Sequence, residues 1–383
     1  MNSVKSSEKR AESYQRPNWK QAAVWTGADF FGLARMLLRN RLRIRPEYLG
    51  DCLLDVWLSL LNTVLGALQA FRYGAQIGRV RLQDDPVFII GHWRTGTTLL
   101  HELFALDRRF RCPTTYECFS PNHFLLTGPV VERLLRFLLP NSRPTDNMAM
   151  GWERPQEDEF ALCNLGLPST YATMAFPNEP TQHPESLDLE RLSAPELRRW
   201  KRVLFGFLKQ LTLRRPGRLV LKSPPHTCRL PVLLEMFPKA CFIHLVRDPY
   251  VVFQSTMRLW KSLYTWQGYQ KPTFEGLEER VFRGLMHMHE RLEATRGLVD
   301  PSRIIDLRYE DLVRDPACEL RRVYERLDLG AFGPIEPAIR AYFADRNDYQ
   351  TNRYDLSPEL REKIGRLWRP YIEKYGYNGA EKE

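Results

Sequence analysis

A glycine-bounded loop with an arginine inside it is the segment of this sequence best suited to chemistry. The apolar run Val87–Ile90 ends at Gly91, and a helical pattern begins at Thr97. In a strand–loop–helix arrangement, successive backbone N–H groups and the positive end of the helix dipole point at the same place. The segment therefore predicts a binding loop for an anionic group such as a phosphate.

The loop has the spacing of the nucleotide-binding pattern G-x-x-x-x-G-K-[ST], from Gly91 to Gly96, with one exception. Thr97 occupies the position of the lysine, and the cation lies within the loop at Arg94. A P-loop kinase needs that lysine on the β- and γ-phosphates, with Mg²⁺ bridging them. The exception argues against a kinase or other P-loop NTPase. It favours a less highly charged group, such as a 5′-phosphosulfate, for which a metal is less needed.

Two further predicted strands end at a cationic side chain. The run Leu219–Lys222 ends at its lysine, and the run Cys241–Val246 is followed by Arg247. A helix then begins, and it carries Ser255 eight residues after that arginine. A guanidinium is a forked donor, and a hydroxyl two helical turns further faces the same side. Because parallel strands present their carboxyl ends at one edge of a sheet, these groups are expected to lie near Arg94.

Together these segments resemble the sulfotransferases that use 3′-phosphoadenosine 5′-phosphosulfate (PAPS), above all the bacterial sulfotransferase family. The likeness rests on the R-[ST]-G-T-T loop, the K-[ST] pair after a strand, the strand–Arg–helix–Ser unit and a Y-E-D-L segment that starts at Tyr309. It covers residues 86 to 377. The resemblance implies an α/β fold with a central parallel sheet flanked by helices, as in P-loop NTPases, and PAPS as the sulfuryl donor, with no metal.

The resemblance also implies roles for individual residues. The loop residues implied to hold the 5′-phosphosulfate are Arg94, Thr95, Gly96, Thr97 and Thr98. Arg247 and Ser255 are implied to bind the 3′-phosphate, and Tyr309 to lie near the adenine. Lys222 corresponds to the family's catalytic lysine, which steadies the oxygen between phosphate and sulfate as charge develops there.

The implied activity is transfer of a sulfuryl group to a hydroxyl or amine. A P-loop nucleotide kinase or NTPase is the first alternative. A non-catalytic membrane- or partner-binding protein on the same fold is the second. Four groups occur together that donor binding and catalysis would need, which argues against the non-catalytic alternative. They are Arg94, Lys222, Arg247 and Ser255.

Transfer to a hydroxyl also needs a group that takes the acceptor's proton. Glu117, in the segment after the loop helix, is the first candidate, because tyrosylprotein sulfotransferases place a catalytic glutamate in the corresponding region. Glu157 is the second, in the carboxylate run Glu157–Glu159 at a predicted helix start, where negative charge also favours the helix dipole. His226, four residues after Lys222, is the third.

Composition agrees with a nucleotide-dependent enzyme. The chain has 383 residues, 43% of them hydrophobic, which suffices for one large α/β domain with a helical extension. The formal net charge is +10, but no nucleic-acid-binding signature occurs, so an anionic cofactor explains the excess most economically. Seven scattered cysteines without a C-x-x-C pair indicate reduced thiols in the cytoplasm. The acceptor stays open among small molecules, carbohydrates, lipids and peptides, and so does the oligomeric state.

The domain layout follows from pattern changes along the chain. Residues 1 to 20 are predicted to be disordered, 21 to 85 to form a helical extension, 86 to 377 the sulfotransferase domain and 378 to 383 a tail. Within the extension, Cys52 to Phe71 approaches membrane-span length but carries a narrow polar stripe at helical spacing, so a buried or interfacial amphipathic helix is expected. Arginines before it allow peripheral membrane contact, although a helical cap packed on the core is favoured.

Overall fold

A computed structural model describes residues 24–128, 151–344 and 356–378 of the chain. Three expectations lie outside these residues: the disordered segment 1 to 20, a helix that the sequence pattern also predicts near residues 129 to 139, and most of the tail from 378 to 383. The boundary drawn at residue 85 between extension and domain stays a prediction.

A five-stranded parallel sheet forms the centre of the described molecule. Its order is β2-β3-β1-β4-β5, with every neighbouring pair parallel. The strands are β1 Val87–Ile90, β2 Phe110–Arg111, β3 Arg218–Lys222, β4 Cys241–Val246 and β5 Ile304–Arg308. Every residue of β1 and β4 is buried, as expected of strands covered by helices on both faces. The predicted α/β fold is confirmed. The sequence did not predict the edge strand β2, because a strand of two residues is too short to show an apolar run or an alternating pattern.

Helices follow the strands as the alternating pattern predicts. They are α1 Phe30–Arg39, α2 Leu49–Arg79, α3 Thr97–Ala105, α4 Thr115–Phe119, α5 Asp158–Asn164, α6 Ala194–Arg214, α7 Leu230–Met236, α8 Pro249–Gln267, α9 Leu277–Arg296, α10 Tyr309–Arg314, α11 Pro316–Arg326, α12 Glu336–Ala344, α13 Pro358–Leu367 and α14 Arg369–Tyr375. The sequence pattern of residues 358 to 375 predicts a single helix, whereas the structure has two, α13 and α14. Pro370 has no N–H to continue the helical hydrogen bonds, so the chain breaks at Trp368.

Helix α2 packs on the domain through its polar stripe. Asp55, Ser59, Asn62 and Gln69 are all buried. The Asn62 side chain donates to the carbonyl of Thr26 at 2.8 Å, for example, instead of facing solvent. Within the described residues, the segment Pro46–Arg79 is long and apolar enough to cross a membrane, by length and composition alone.

Candidate active site

The loop after β1 turns sharply at the carboxyl edge of the sheet. Gly91 has a φ of 138°, and a side chain there would meet the Leu245 carbonyl oxygen at 2.6 Å, so only glycine fits. Its N–H donates to the Thr227 hydroxyl at 2.8 Å. Burial lowers the pKa of His92, the next residue, to about 4. This histidine is therefore neutral near pH 7, and Arg94 supplies the loop's positive charge.

Gly96 closes the loop against an aromatic ring. A Cβ on Gly96 would lie 2.3 Å from Cδ2 of Tyr309, and its φ of 99° is in the left-handed region. The other neighbour of this ring is Arg247, whose guanidinium carbon lies 4.0 Å from the ring centroid. Tyr309 thus links the loop to the arginine at the end of β4. Its predicted place near an adenine stays a prediction.

The two predicted anion sites come together at this edge. Arg94 Nε donates to the Ser255 hydroxyl at 2.6 Å, which joins the loop to helix α8. Arg247 Nη1 donates to the Arg94 carbonyl at 3.1 Å. Two guanidinium groups and one hydroxyl that were far apart in the sequence therefore surround the same part of the sheet edge. Such a set suits a ligand with more than one anionic group.

Lys222 forms the centre of a second cluster beside the loop helix. Its side chain is only 1% exposed. Nζ lies 2.7 Å from Glu157 Oε1 and 3.3 Å from the Thr98 hydroxyl. The second oxygen of Glu157 accepts a hydrogen bond from Tyr171, whose own hydroxyl accepts from Trp93 Nε1 at 3.1 Å. Burial, and then the charge of Glu157, raises the pKa of Tyr171 well above its usual value, so this hydroxyl stays a donor.

Glu117 lies in a different environment. It closes a capping box at the start of α4: Thr114 donates to Oε2 from its backbone N–H at 2.7 Å and from its hydroxyl at 2.9 Å. Its other oxygen is paired with Arg111, and Arg214 Nη1 lies 3.3 Å from it. The side chain is fully buried. These contacts tie Glu117 to the start of α4 and to two arginines, and none of them is with Lys222.

His226 is also fully buried, against Asp158. Its Nε2 lies 2.7 Å from Oδ2 of Asp158, and Ser223 donates to the other oxygen at 2.9 Å. Burial acts to raise the pKa of Asp158, but the charge and hydrogen bonds of His226 and Ser223 outweigh it and lower that pKa. The third carboxylate of the run, Glu159, pairs with buried Arg229 at 2.6 Å. Of the three consecutive carboxylates, Glu157 is the one that contacts Lys222.

Aromatic side chains that no predicted site included lie beside Glu157. We call the group Trp93, Phe160, Tyr171, Trp260 and Tyr264 the aromatic wall. Successive ring centroids lie 5.0 to 6.3 Å apart, and three of the rings are half-buried. Trp93 lies inside the anion-binding loop, where an apolar side chain is unexpected. This tryptophan was the sequence signal that could have indicated the aromatic wall. The wall gives the site an apolar side.

Comparison with known proteins agrees with this geometry. The model of the Sulfotransferase family matches residues 86–332. The omega-hydroxy-beta-dihydromenaquinone-9 sulfotransferases Stf3 of Mycobacterium bovis and Mycobacterium tuberculosis are each 46% identical over 365 residues, which are 94% of this chain and 93% of theirs.

Two solved structures share the fold. Sulfotransferase STF9 from Mycobacterium avium aligns with a TM-score of 0.64 at 19% identity, over 93% of this chain and 92% of that one. Sulfotransferase STF1 from Mycobacterium tuberculosis aligns with a TM-score of 0.61 at 17% identity, over 89% and 92%. The structural likeness shows the fold alone, whereas the family match and the 46% identity show the family. The chain therefore belongs to the sulfotransferase family.

Proposed function

We propose that this sulfotransferase uses PAPS as its donor and moves the sulfuryl group to a hydroxyl of a lipid acceptor. The observation that carries the proposal is the meeting of two clusters at one sheet edge: the anion-binding groups around Arg94 and the Lys222–Glu157 pair. Helix α3 begins between these two clusters. Gly96 closes the loop just before the helix, and Thr98 in its first turn contacts Lys222.

Donor binding draws on the loop and on β4. The backbone N–H groups of the loop, with Arg94, Thr95, Gly96, Thr97 and Thr98, hold the 5′-phosphosulfate. Arg247 and Ser255 bind the 3′-phosphate. The glycines at both ends of the loop support this assignment, because their missing side chains leave the backbone close to any bound anion. Tyr309 positions Arg247 and borders the adenine.

The chemical step needs a cation at the leaving oxygen and a base at the acceptor. Lys222 steadies the oxygen between phosphorus and sulfur as that S–O bond breaks. The acceptor oxygen forms the new bond to sulfur, and its proton passes to Glu157. The products are a sulfate ester and 3′-phosphoadenosine 5′-phosphate (PAP). Glu117 and His226 remain alternative bases, but the contact of Glu157 with Lys222 at 2.7 Å favours Glu157.

The acceptor class is inferred from the wall and from the relatives. The Stf3 relatives are named for a menaquinone derivative with a terminal hydroxyl. An aromatic wall beside the proposed base suits an apolar acceptor better than a carbohydrate or a peptide. We infer a hydroxylated isoprenoid or quinone-type lipid, and with it an enzyme that works in the cytoplasm in peripheral contact with a membrane.

Transfer of radiolabel tests the function directly. With ³⁵S-PAPS, label is expected on a hydroxylated isoprenoid quinone and not on a sugar, a peptide or a simple phenol of equal concentration. Label on none of the four would contradict the proposal, and label on the sugar or peptide alone would contradict the acceptor class.

Donor identity is tested without turnover. PAP is expected to raise the melting temperature, because a ligand that binds only the folded state stabilises it by mass action. At a hundredfold excess over Kd, the free energy of unfolding rises by about 2.7 kcal/mol. The rise should survive EDTA, because the proposed contacts come from side chains and backbone N–H groups. Mg²⁺–ATP should raise the melting temperature less, since Thr97 replaces the P-loop lysine. A larger rise with Mg²⁺–ATP, abolished by EDTA, would favour a nucleotide kinase.

Replacement of Arg247 by alanine should weaken PAP binding by at least about tenfold, because a charge-assisted contact contributes roughly 1.5–3 kcal/mol. Calorimetry should also show that the variant loses the parent's preference for PAP over adenosine 5′-monophosphate. Arg361→Ala is the matched control, since Arg361 also lies over a tyrosine ring, that of Tyr250 at 4.8 Å. A variant that keeps the preference would rule out Arg247 as the 3′-phosphate ligand.

A further inference from the structure

Helix α2 presents its polar side to the protein and its apolar side outward. Gln69 donates to the Asn122 carbonyl at 2.9 Å and accepts from the Leu125 N–H at 2.7 Å. Asp55 accepts from the Tyr269 hydroxyl at 2.8 Å, and Asn62 binds two carbonyls. A helix of a globular protein normally buries its apolar face, so this orientation is inverted.

The outward side of α2 is a continuous apolar stripe. Its members recur at spacings of three and four residues and so lie along one face of the helix. They are Leu53 (68% exposed), Trp57 (60%), Leu60 (46%), Val64 (57%), Leu68 (51%) and Phe71 (92%). An exposed apolar surface of this length marks an interaction site in a soluble domain.

Helix α1, which packs against α2, also carries exposed apolar side chains. Phe31 is 61% exposed and Leu38 67%, seven residues apart and therefore on one face of the helix. The turn after α1 adds Leu42, which is 56% exposed and has a φ of 53°, as does Arg41 before it. Non-glycine residues in this conformation are strained, and here they hold an apolar side chain outward. The stripe of α2 and these three apolar residues are called the N-terminal face below.

Positive charge flanks the N-terminal face at both ends. The exposed arginines there are Arg35, Arg39, Arg41, Arg43, Arg45, Arg72, Arg79 and Arg81. Two of them have acidic partners, Arg43 with Glu179 and Arg45 with Glu47. Arginines at the edges of an apolar helical face match the charge of anionic lipid headgroups.

We propose that the N-terminal face docks on the surface of a bilayer that contains anionic lipid. The proposal rests on the lipid acceptor of the proposed function, since such an acceptor is held in a membrane. Helix α2 lies along the surface of the bilayer and does not cross it, because a crossing would strip Asp55, Asn62 and Gln69 of their partners in the domain.

The docked face connects physically to the active site. Leu33 and Leu37 of α1 and Cys52 of α2 belong to the same hydrophobic cluster as Tyr171, and Trp93 packs against that cluster. One apolar core therefore packs both against α1 and α2 and against the aromatic side chains beside Glu157.

Vesicle flotation of the full chain tests the proposal. The parent should float with phosphatidylcholine vesicles that contain phosphatidylglycerol, and less with pure phosphatidylcholine, and high salt should weaken the binding. Leu53→Glu/Val64→Glu should bind at least about tenfold more weakly, since two apolar side chains are lost from the interface. Leu298→Glu/Leu367→Glu is the matched control, since Leu298 (62%) and Leu367 (41%) are exposed outside the N-terminal face.

Donor binding separates the two proposals. Leu53→Glu/Val64→Glu should keep the parent's melting shift with PAP, because both side chains are exposed on the outer side of α2, away from the side that packs on the domain. Failure of the parent to float with either vesicle would overturn membrane docking and leave PAPS chemistry untouched. A parent that forms dimers without lipid and does not float, with a monomeric Leu53→Glu/Val64→Glu variant, would assign the face to a second copy and overturn the proposal.

Discussion

Replacement of Lys222 by methionine is expected to lower turnover by about a hundredfold to a thousandfold, the usual loss when a donor to developing negative charge is removed. PAP affinity should change much less, because the lysine acts mainly on charge that appears as the S–O bond breaks. Methionine keeps the length and apolar stem of lysine, so the 1% exposed position stays filled. Single-turnover rates and calorimetry with PAP measure the two quantities separately.

The control for this variant is Lys201→Met. Lys201 also forms a salt bridge, with Glu235, but it belongs to helix α6 and not to the sheet edge. Its replacement should leave both turnover and PAP affinity at the parent's values. If Lys222→Met raised KM and left kcat unchanged, the lysine would bind ground state and transition state equally, and its proposed role would be wrong.

Replacement of Glu157 by glutamine is expected to lower turnover by about a hundredfold to ten-thousandfold, as loss of a general base does. Glutamine retains the shape of the side chain and one oxygen that can face Lys222, whereas its amide group replaces the oxygen that accepts from Tyr171. The loss should shrink for acceptors with more acidic hydroxyls, because these need less help in releasing the proton. A carboxylate that only positions Lys222 would give the same loss for every acceptor.

Glu117→Gln is the contrasting variant. It breaks the buried pair with Arg111 and should destabilise the fold by about 3–5 kcal/mol, which a denaturant titration measures. The protein that remains folded should keep the parent's turnover. Full stability with abolished turnover in Glu117→Gln, beside normal turnover in Glu157→Gln, would restore Glu117 as the first candidate for the base.

The strands and the loop after β1 could be predicted because their signals are contiguous in the chain. An apolar run, a glycine turn and a helix start follow one another from Val87 to Thr97, and each is recognisable within a few residues. Lys222 ends one strand, and Arg247 directly follows another. Parallel strands place their carboxyl ends at one edge, so the meeting of these cations near Arg94 also followed from the sequence.

The polar stripe of α2 was visible in the sequence, but its direction was not. Periodicity shows that one side of the helix is polar and the other apolar, without showing which one packs on the protein. Only the tertiary structure places carbonyls of other segments against Asn62 and Gln69 and leaves Trp57 in solvent. The favoured interpretation was a helical cap packed on the core. Helix α2 does pack on the domain, but it does so through its polar side.

The partners of the carboxylates are visible only in the tertiary structure. By sequence, Glu157, Asp158 and Glu159 are equivalent acids at a helix start, and Glu117 is a fourth. In the fold each of the three pairs with a different basic side chain from the end of β3 or from the segment that follows it: Lys222, His226 and Arg229 respectively. The partners lie more than sixty residues away in the chain, and a carboxylate's role depends on which charge it meets and how deeply both are buried. Local pattern carries neither quantity, so the sequence could rank Glu117, Glu157 and His226 but could not show which of them meets Lys222.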